Sequence, residues 1–379
     1  NLVDLLVDKI RQLSGHTIDI LTLCSCIGNR FDLDMVSLVT GQTLEQVLPA
    51  ITEAIREGLV GKTAQHYVFL HDRIQEAAYS MIPDQEKAAF HYRIGRIELA
   101  RNDAVQLRKK IFYIVDQLKF GMDCFPDPAE KTEFIGLCLE AGRKAKRATA
   151  YVQATGYLKT GIALLEADSW AEAHSVAYEL HRELLECLYL TGHFEEGEEL
   201  FQFTLERTKS IIDIANLSSL MIILYTSQGN FEKALKIGYQ ASKTVGYPLP
   251  QRTSDIRVGL ALVHLWLTFR GKKVQDLIQL PDIQDPELIA SGHLFINTGT
   301  VVYYSNPNLF ALTIIEGNRI TFEHGNWEMS DYSLTALACI LGSVIGLYPL
   351  GYRLGQTALA MCDRKPGHTN RCRIHFLFA

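Results

Sequence analysis

The sequence predicts an all-α fold that carries one small β-hairpin. Apolar residues recur at helical spacing along nearly the whole chain. Two short runs, Leu59-Val60 and Tyr67-Val68-Phe69-Leu70, instead combine β-branched and aromatic residues around a polar turn. From these patterns we divide the chain into a module over residues 1–82, a helical connector over 83–140 and a TPR-like α-solenoid, or helical-repeat arm, over 141–379.

The first module begins with four predicted helices. Their apolar residues lie within 2–13, 17–27, 32–39 and 44–55. Gly28 and Gly58 should end the helices that precede them, and Thr43 is placed to cap the fourth helix. Pro49 should either kink this helix or lie in its true first turn. The hairpin follows, and helix resumes at Asp72. Helices followed by a hairpin in this order describe a winged helix.

A winged helix suggests DNA binding first, because one of its helices can enter a major groove. The charges argue against this function. Residues 1–100 carry nine Lys/Arg against thirteen Asp/Glu, and the candidate recognition helix bears three glutamates beside Arg56. Phosphate contacts need the reverse balance. The whole chain has 37 basic and 43 acidic residues, a net charge of −6, so we expect no nucleic-acid partner.

Several strings resemble one family of proteins. They are Leu23-Cys-Ser-Cys-Ile-Gly-Asn-Arg-Phe-Asp-Leu33, Glu57-Gly-Leu-Val60, Phe69-Leu-His-Asp-Arg-Ile-Gln-Glu-Ala-Ala-Tyr79, His91-Tyr-Arg-Ile-Gly95 and Ala141-Gly-Arg-Lys-Ala-Lys146. They resemble the region after the ATPase domain in large multidomain bacterial signalling proteins. Those proteins join a serine/threonine-kinase-like domain, a STAND-type AAA ATPase, a helical-repeat arm, a GAF domain and often a histidine kinase. The resemblance implies an internal piece, with the phosphate-binding loop upstream of Asn1 and the GAF and histidine-kinase parts downstream of Ala379.

The resemblance also implies a role for His71. In STAND ATPases the winged helix carries a Leu/Met-His-Asp motif at the end of its hairpin, and the histidine contacts the β-phosphate of ADP in the resting state. Leu70-His71-Asp72 looks like that motif. An imidazole N–H can donate to a phosphate oxygen, and helix N-terminal amides favour an anion. We expect Asp72 to cap the next helix and Arg73 to be solvated. Without the resemblance, we would expect His71 to be a packing or hydrogen-bonding residue.

The arm shows a loose repeat. An aromatic residue, a small residue three positions later and a large apolar residue recur after a helix that ends in a turn. The aromatic anchors are Tyr151, Phe194 and Phe231, which lie 43 and 37 residues apart. Gly192 and Gly229 should end the preceding helices in a left-handed conformation. Such a period is typical of TPR-like helix pairs, which stack into a solenoid and bind a protein or peptide.

Three other features of the chain allow a structural interpretation. Residues 333–352 carry no charge, but their glycines and Pro349 favour a buried helix pair over a membrane span. The basic run Arg143-Lys-Ala-Lys-Arg147 either contacts phosphate or an acidic partner, or forms a solvated helix face. His264 and the three tryptophans are expected in the core or between repeats.

The chain carries no recognisable catalytic motif. Gly61-Lys-Thr63 echoes the end of a phosphate-binding loop, but Arg56 stands where the first glycine must be. There is no His-Glu-x-x-His, no Gly-x-Ser-x-Gly and no Cys/His cluster, so we expect neither enzyme activity nor a bound metal in this chain alone. The eight cysteines are scattered among apolar neighbours, which is typical of a reducing cytoplasm.

By resemblance, we expect the regulatory region of a multidomain signalling protein kinase. ATP or ADP would be bound mainly by the upstream ATPase domain, with His71 as the one contributing residue of this chain, which alone would bind no nucleotide. That domain would be one partner, and a protein or peptide on the arm another. Two alternatives stay open: the arm of a STAND-type transcription activator, and a TPR-like scaffold without nucleotide control.

Overall fold

The computed structural model describes residues 2–166, 169–271, 273–303, 305–364 and 370–379. These residues are mostly helical, with one small antiparallel sheet among them. The chain forms two compact units, residues 1–187 and 188–379.

The first unit contains the sheet and extends into α11. Its elements are α1 (Leu2–Ile10), α2 (Gly15–Ile27), β1 (Arg30–Phe31), α3 (Leu33–Thr40), α4 (Leu44–Arg56), β2 (Val60–Lys62), β3 (Tyr67–Phe69), α5 (Asp72–Ser80), α6 (Asp84–Arg101), α7 (Ala104–Phe120), α8 (Pro128–Arg147), α9 (Tyr151–Ala163), α10 (Ser169–Glu172) and α11 (His174–Leu190). A short 3₁₀ turn, Met122–Cys124, follows α7.

Local chemistry sets the ends of the first helices. The Asp32 side chain accepts a hydrogen bond from a first-turn amide at 2.6 Å and caps α3. α4 begins after Thr43, as predicted, and the Thr43 amide donates to the Gln46 side chain at 2.8 Å. Gly58 follows this helix with φ of 67°, a conformation that glycine adopts without strain. Pro49 lies inside α4, so the helix does not begin at the proline.

The predicted hairpin is confirmed. β2 pairs antiparallel with β3, with Val60 opposite Phe69 and Lys62 opposite Tyr67. β1, which the sequence pattern does not predict, pairs with the other edge of β3, and the strand order is β1-β3-β2. The Phe31 ring lies 5.6 Å from the Phe69 ring between centroids, and both belong to the buried core of this unit. The sheet is therefore stabilised by packing of its apolar face as well as by the hydrogen bonds between its strands.

The second unit contains helices and short turns in its described residues. Its helices are α12 (Phe194–Arg207), α13 (Ile211–Ser227), α14 (Phe231–Thr244), α15 (Asp255–Phe269), α16 (Pro286–Val302), α17 (Pro307–His324), α18 (Ser330–Cys339), α19 (Tyr348–Asp363) and α20 (Arg371–Phe378). A 3₁₀ turn, Val274–Gln279, follows α15, and a π-helical turn, Ile340–Val344, follows α18.

Consecutive helices pack in pairs. α6 packs on α7 and α8 on α9 in the first unit, and α13 packs on α14, α16 on α17 and α18 on α19 in the second. The predicted anchors Tyr151, Phe194 and Phe231 are the first residues of α9, α12 and α14. Gly192 and Gly229 have φ of 81° and 74°, the left-handed conformation that the pattern predicts. A helical-repeat organisation is confirmed at these positions.

A small residue stands three positions after each anchor, as the repeat requires. Ala154, Gly197 and Ala234 are all buried. A Cβ on Gly197 would lie 2.6 Å from the Tyr189 ring, closer than atoms pack. The small side chain is needed here because another helix approaches its backbone.

The uncharged stretch over 333–352 forms the predicted helix pair, but the prediction that the pair is buried is wrong for residues 343–349, which are exposed. α18 ends at Cys339, the π-helical turn follows, and α19 begins at Tyr348. Every helix among the described residues is too short or too polar to cross a membrane.

Candidate functional site

His71 lies where β3 leads into α5. The Leu70 amide donates to the Leu59 carbonyl oxygen at 3.1 Å, and α5 begins at Asp72. His71 is therefore the N-cap residue, and its Nδ1 accepts a hydrogen bond from the Arg73 amide at 3.1 Å. The prediction that Asp72 caps this helix is wrong. The strand pairing extends to Leu70, so the chain enters the helix at Asp72 itself.

The cap hydrogen bond selects one tautomer of His71. Because Nδ1 accepts, the proton of the neutral ring is carried by Nε2. The side chain is exposed, and no described residue bonds to Nε2. His71 thus offers one N–H donor beside the first-turn amides of α5, where the helix dipole is positive.

The polar groups that flank His71 have local roles. Arg73 pairs with Glu76 at 2.5 Å on the exposed surface of α5. The string Gly61-Lys-Thr63 lies at the end of β2, and its threonine hydroxyl donates to the His66 carbonyl oxygen at 2.8 Å across the hairpin turn. This string is thus part of a hairpin and is not a phosphate-binding loop, as predicted.

A buried chain of hydrogen bonds holds α5 in place. The Tyr79 hydroxyl lies 3.0 Å from His91 Nε2, His91 Nδ1 lies 2.7 Å from Gln117 Oε1, and Gln117 Nε2 donates to the Cys26 carbonyl oxygen at 2.9 Å. Since the Gln117 nitrogen is the donor to Cys26, its oxygen accepts from His91 Nδ1. His91 Nε2 then accepts from Tyr79. This series of hydrogen bonds joins α5, α6, α7 and α2, and the donor and the acceptor of each bond are assigned.

His91 is neutral in this arrangement. Burial lowers the pKa of His91, and the hydrogen bond with Gln117 opposes the shift only in part. The sequence reasoning missed this network because Gln117 lies 26 residues from His91 and 91 residues from Cys26. The signal that could have found it is a pair of polar residues, His91 and Gln117, on the inward faces of two predicted helices.

Other members of the string His91-Tyr-Arg-Ile-Gly95 are also structural. Arg93 donates to the Val39 carbonyl oxygen at 2.8 Å and ties α6 to α3. A Cβ on Gly95 would lie 2.6 Å from the Leu118 side chain, where α6 meets α7. Arg93 and Gly95 of this string therefore contribute to the packing of the first unit.

Two cations of the basic run at the end of α8 have acidic partners within the first unit. Arg143 and Lys146 pair with three glutamates on α11, namely Glu179, Glu183 and Glu186. Arg143 Nε lies 3.3 Å from Glu183 Oε1, and Lys146 Nζ lies 2.8 Å from Glu186 Oε2. These two cations are thus neither a solvated face nor a phosphate site.

The packing predictions for His264, Trp266 and Trp327 have different outcomes. Trp327 is 4% exposed, and the packing prediction is confirmed for it. His264 and Trp266, both on α15, are exposed, so the packing prediction is wrong for them. Trp266 instead borders an apolar groove.

Metal-binding and nucleophilic groups are not assembled in the described residues. No three His, Cys, Asp or Glu side chains among them gather in a way that would hold a metal ion. Burial raises the pKa of the Cys26 and Cys138 thiols to about 12 and keeps them protonated.

No family model matches the sequence. The hybrid signal transduction histidine kinase G of Dictyostelium discoideum is 24% identical over 454 aligned residues, which cover 96% of this chain. The chain spans only 13% of that relative's length. A solved structure of a STAND protein with a tetratricopeptide repeat sensor, from Pyrococcus horikoshii, aligns with 100% of this chain and 55% of that chain at 12% identity, with a TM-score of 0.38. Nearly the whole chain is thus similar in sequence to one region of a signalling histidine kinase.

Proposed function

We propose that this chain is the regulatory and sensor region of a multidomain, ATP-dependent signalling protein kinase. One observation carries the proposal: 96% of the chain matches a stretch of a hybrid signal transduction histidine kinase. The catalytic and ATPase domains would lie elsewhere in the parent protein, in the cytoplasm. This region would act on them by changing which conformation they populate.

The first module, residues 1–82, would act as a winged helix against an upstream nucleotide-binding domain of the same protein. Its four helices, its three-stranded sheet and α5 are in the order that this assignment needs. His71 would donate from Nε2 to a phosphate oxygen of ADP that is bound mainly by that domain. The exposed N–H at a helix N-terminus supports this role, because both groups favour an anion.

The strength of such a contact sets the size of its effect. A hydrogen bond to a charged group contributes about 1.5–3 kcal/mol. Each 1.4 kcal/mol changes an equilibrium constant tenfold, so loss of His71 would shift the closed-to-open equilibrium by about ten- to a hundredfold.

The rest of the chain would receive the input. Residues 83–140 would connect the module to the arm, and residues 141–379 would bind a protein or peptide. The repeated helix pairs support this role, because such arrays expose extended surfaces. A partner that prefers the open state would shift the equilibrium by its difference in affinity for the two states.

The test uses the intact parent protein and two substitutions at one position. His71→Ser keeps a short oxygen that can cap α5 but loses the imidazole donor, and His71→Ala loses both. His66→Ala is the control, because His66 is an exposed histidine of the same hairpin. We expect both His71 variants to raise basal kinase output and the control to leave it unchanged. Basal output at the wild-type level in both His71 variants would sink the proposal.

A further inference from the structure

α15 is apolar around most of its circumference and yet lies at the surface. Its sequence is rich in Leu, Val and Ile, but Leu265 is its only residue that is buried. Ile256 is 77% exposed, Leu260 66% and Trp266 56%. A helix of this composition is normally enclosed by its neighbours. A contiguous exposed apolar surface of this kind is typical of a binding site.

One side of α15 forms the wall of an apolar groove. The groove has a volume of about 330 Å³, and Val263, Trp266 and Phe269 line it from α15. Phe322 of α17 and Leu354 of α19 are among the residues that line it from other helices. None of the described residues that line it is charged. The groove opens outward, because Val263 and Trp266 are more than half exposed.

A basic basin adjoins the apolar groove. It shares Trp266 and Phe269 with the groove, has a volume of about 800 Å³ and is lined by Arg270, Lys273 and Arg353. No acidic residue lines it among the described residues. The Arg270 guanidinium lies 5.6 Å from the centroid of the Trp266 ring, so the cations of the basin border the apolar surface.

We propose that this surface binds an amphipathic α-helix of a partner protein, with an apolar face for the groove and acidic residues for the basin. Of the exposed apolar residues of α15, Val263 lines the groove, and Ile256, Leu260 and Leu267 extend the apolar surface beside it; together the four follow a 4-3-4 spacing, the spacing of helix-to-helix packing. They extend over twelve residues, about 17 Å from the first to the last, so the partner helix has three turns or more.

Charge complementarity selects this occupant over a second copy of the chain. A symmetric dimer through the groove would bring two basic basins together, and like charges in one interface disfavour association. The open groove also favours a helix over a single acyl chain, which needs an enclosed cavity. The inference rests on the partner-binding half of the proposed function. It does not depend on His71, so failure of one test leaves the other intact.

The binding test uses the 379-residue chain and a pair of synthetic peptides. Each peptide is a helix of about 18 residues with leucines at the 4-3-4 spacing, flanked by glutamates in one and by lysines in the other. Binding is measured by fluorescence anisotropy at about 0.05 M and about 0.5 M NaCl. We expect the acidic peptide to bind at least tenfold more tightly than the basic one, and high salt to reduce the difference.

Variants locate the site. Val263→Glu should weaken binding of the acidic peptide at least tenfold. Ile223→Glu is the matched control, because Ile223 is an aliphatic residue of α13 with similar exposure, and it should change binding less than twofold. Arg270→Glu with Arg353→Glu should reverse the preference between the peptides. Circular dichroism checks that each variant is folded.

Three results would overturn the inference. The first is equal binding, or no binding, of the two peptides. The second is binding that Val263→Glu leaves unchanged. The third is concentration-dependent dimerisation of the chain in sedimentation that Val263→Glu abolishes, since the occupant would then be a second copy.

Discussion

Removal of the Glu183 carboxylate should loosen the contact between α8 and α11. The Glu183 side chain is 5% exposed, and it pairs with Arg143, Lys146 and Arg182. Breaking a buried ion pair costs about 3–5 kcal/mol, because the remaining charge stays buried without compensation. Here the cations keep other partners: Lys146 keeps Glu186 at 2.8 Å, and Arg182 keeps Glu179 at 3.0 Å. We therefore expect Glu183→Ala to lower the local free energy of unfolding by about 2–3 kcal/mol.

The assay is hydrogen exchange of the α8 and α11 amides, which reports local opening in the first unit. Glu186→Ala is the matched control, because Glu186 lies on the same helix face with a 30% exposed side chain. We expect that substitution to cost less than about 1 kcal/mol. Equal loss of protection in the two variants would refute the reasoning, because burial of the carboxylate would then make no difference.

The pH dependence of the same contact gives an independent check. Burial alone would raise the pKa of Glu183, but the hydrogen bond from Lys146 and the charges of Lys146, Arg182 and Arg143 bring it below its ordinary value of 4.5. A carboxylate with a lowered pKa in the folded state stabilises fully above the unfolded value and loses this contribution as the pH falls through the folded one. The advantage of the wild type over Glu183→Gln should therefore decline below about pH 4.5. A constant difference between pH 7 and pH 3 would contradict it.

Two further predictions concern buried contacts. Because burial lowers the pKa of His91, the unfolded chain takes up a proton at a higher pH than the folded one. The contribution of His91 to the stability of the first unit should therefore be full above the ordinary pKa of 6.5 and decline below it. His91→Gln should make the urea midpoint less dependent on pH, and a pH profile that the substitution leaves unchanged would contradict this prediction. Gly325 has φ of 124°, and a Cβ there would strike the Pro281 carbonyl oxygen. Gly325→Ala should therefore lower the local free energy of opening of α17, measured by hydrogen exchange, by about 3 kcal/mol. Gly259→Ala should not lower it, because a Cβ at Gly259, on a helix, would meet open space. Equal effects of the two substitutions would refute the steric argument.

Local chemistry made much of the fold predictable. The Thr43 cap, the glycine stops and the hairpin follow from residues near each other in the sequence, and these predictions hold in the structure. β1 was missed because a two-residue strand, Arg30–Phe31, exists only through its pairing with Val68 and Tyr67. The cap of α5 was misplaced by one residue for a similar reason. Two polar residues, His71 and Asp72, compete for the position, and the hairpin pairing of Leu70 with Leu59 decides between them.

The candidate site was predictable only in part. The position of His71 between a hairpin and a helix follows from the sequence, but its cap hydrogen bond and tautomer come from the folded backbone. The acidic partners of Arg143 and Lys146 lie about 36–40 residues away on another helix, which charge patterning along one helix does not reveal. α15 misled in the opposite direction, because His264 and Trp266 were expected in the core or between repeats and both are exposed.

The rate of ADP release from the full-length parent protein tests the central claim most directly. The measurement follows a fluorescent ADP analogue as it leaves the wild type, His71→Ser and His66→Ala, with unlabelled ADP in excess. We predict release about ten- to a hundredfold faster from His71→Ser and at the wild-type rate from His66→Ala. Release at the wild-type rate from His71→Ser, in a protein whose α5 keeps its protection from hydrogen exchange, would contradict the claim and leave His71 as a helix cap.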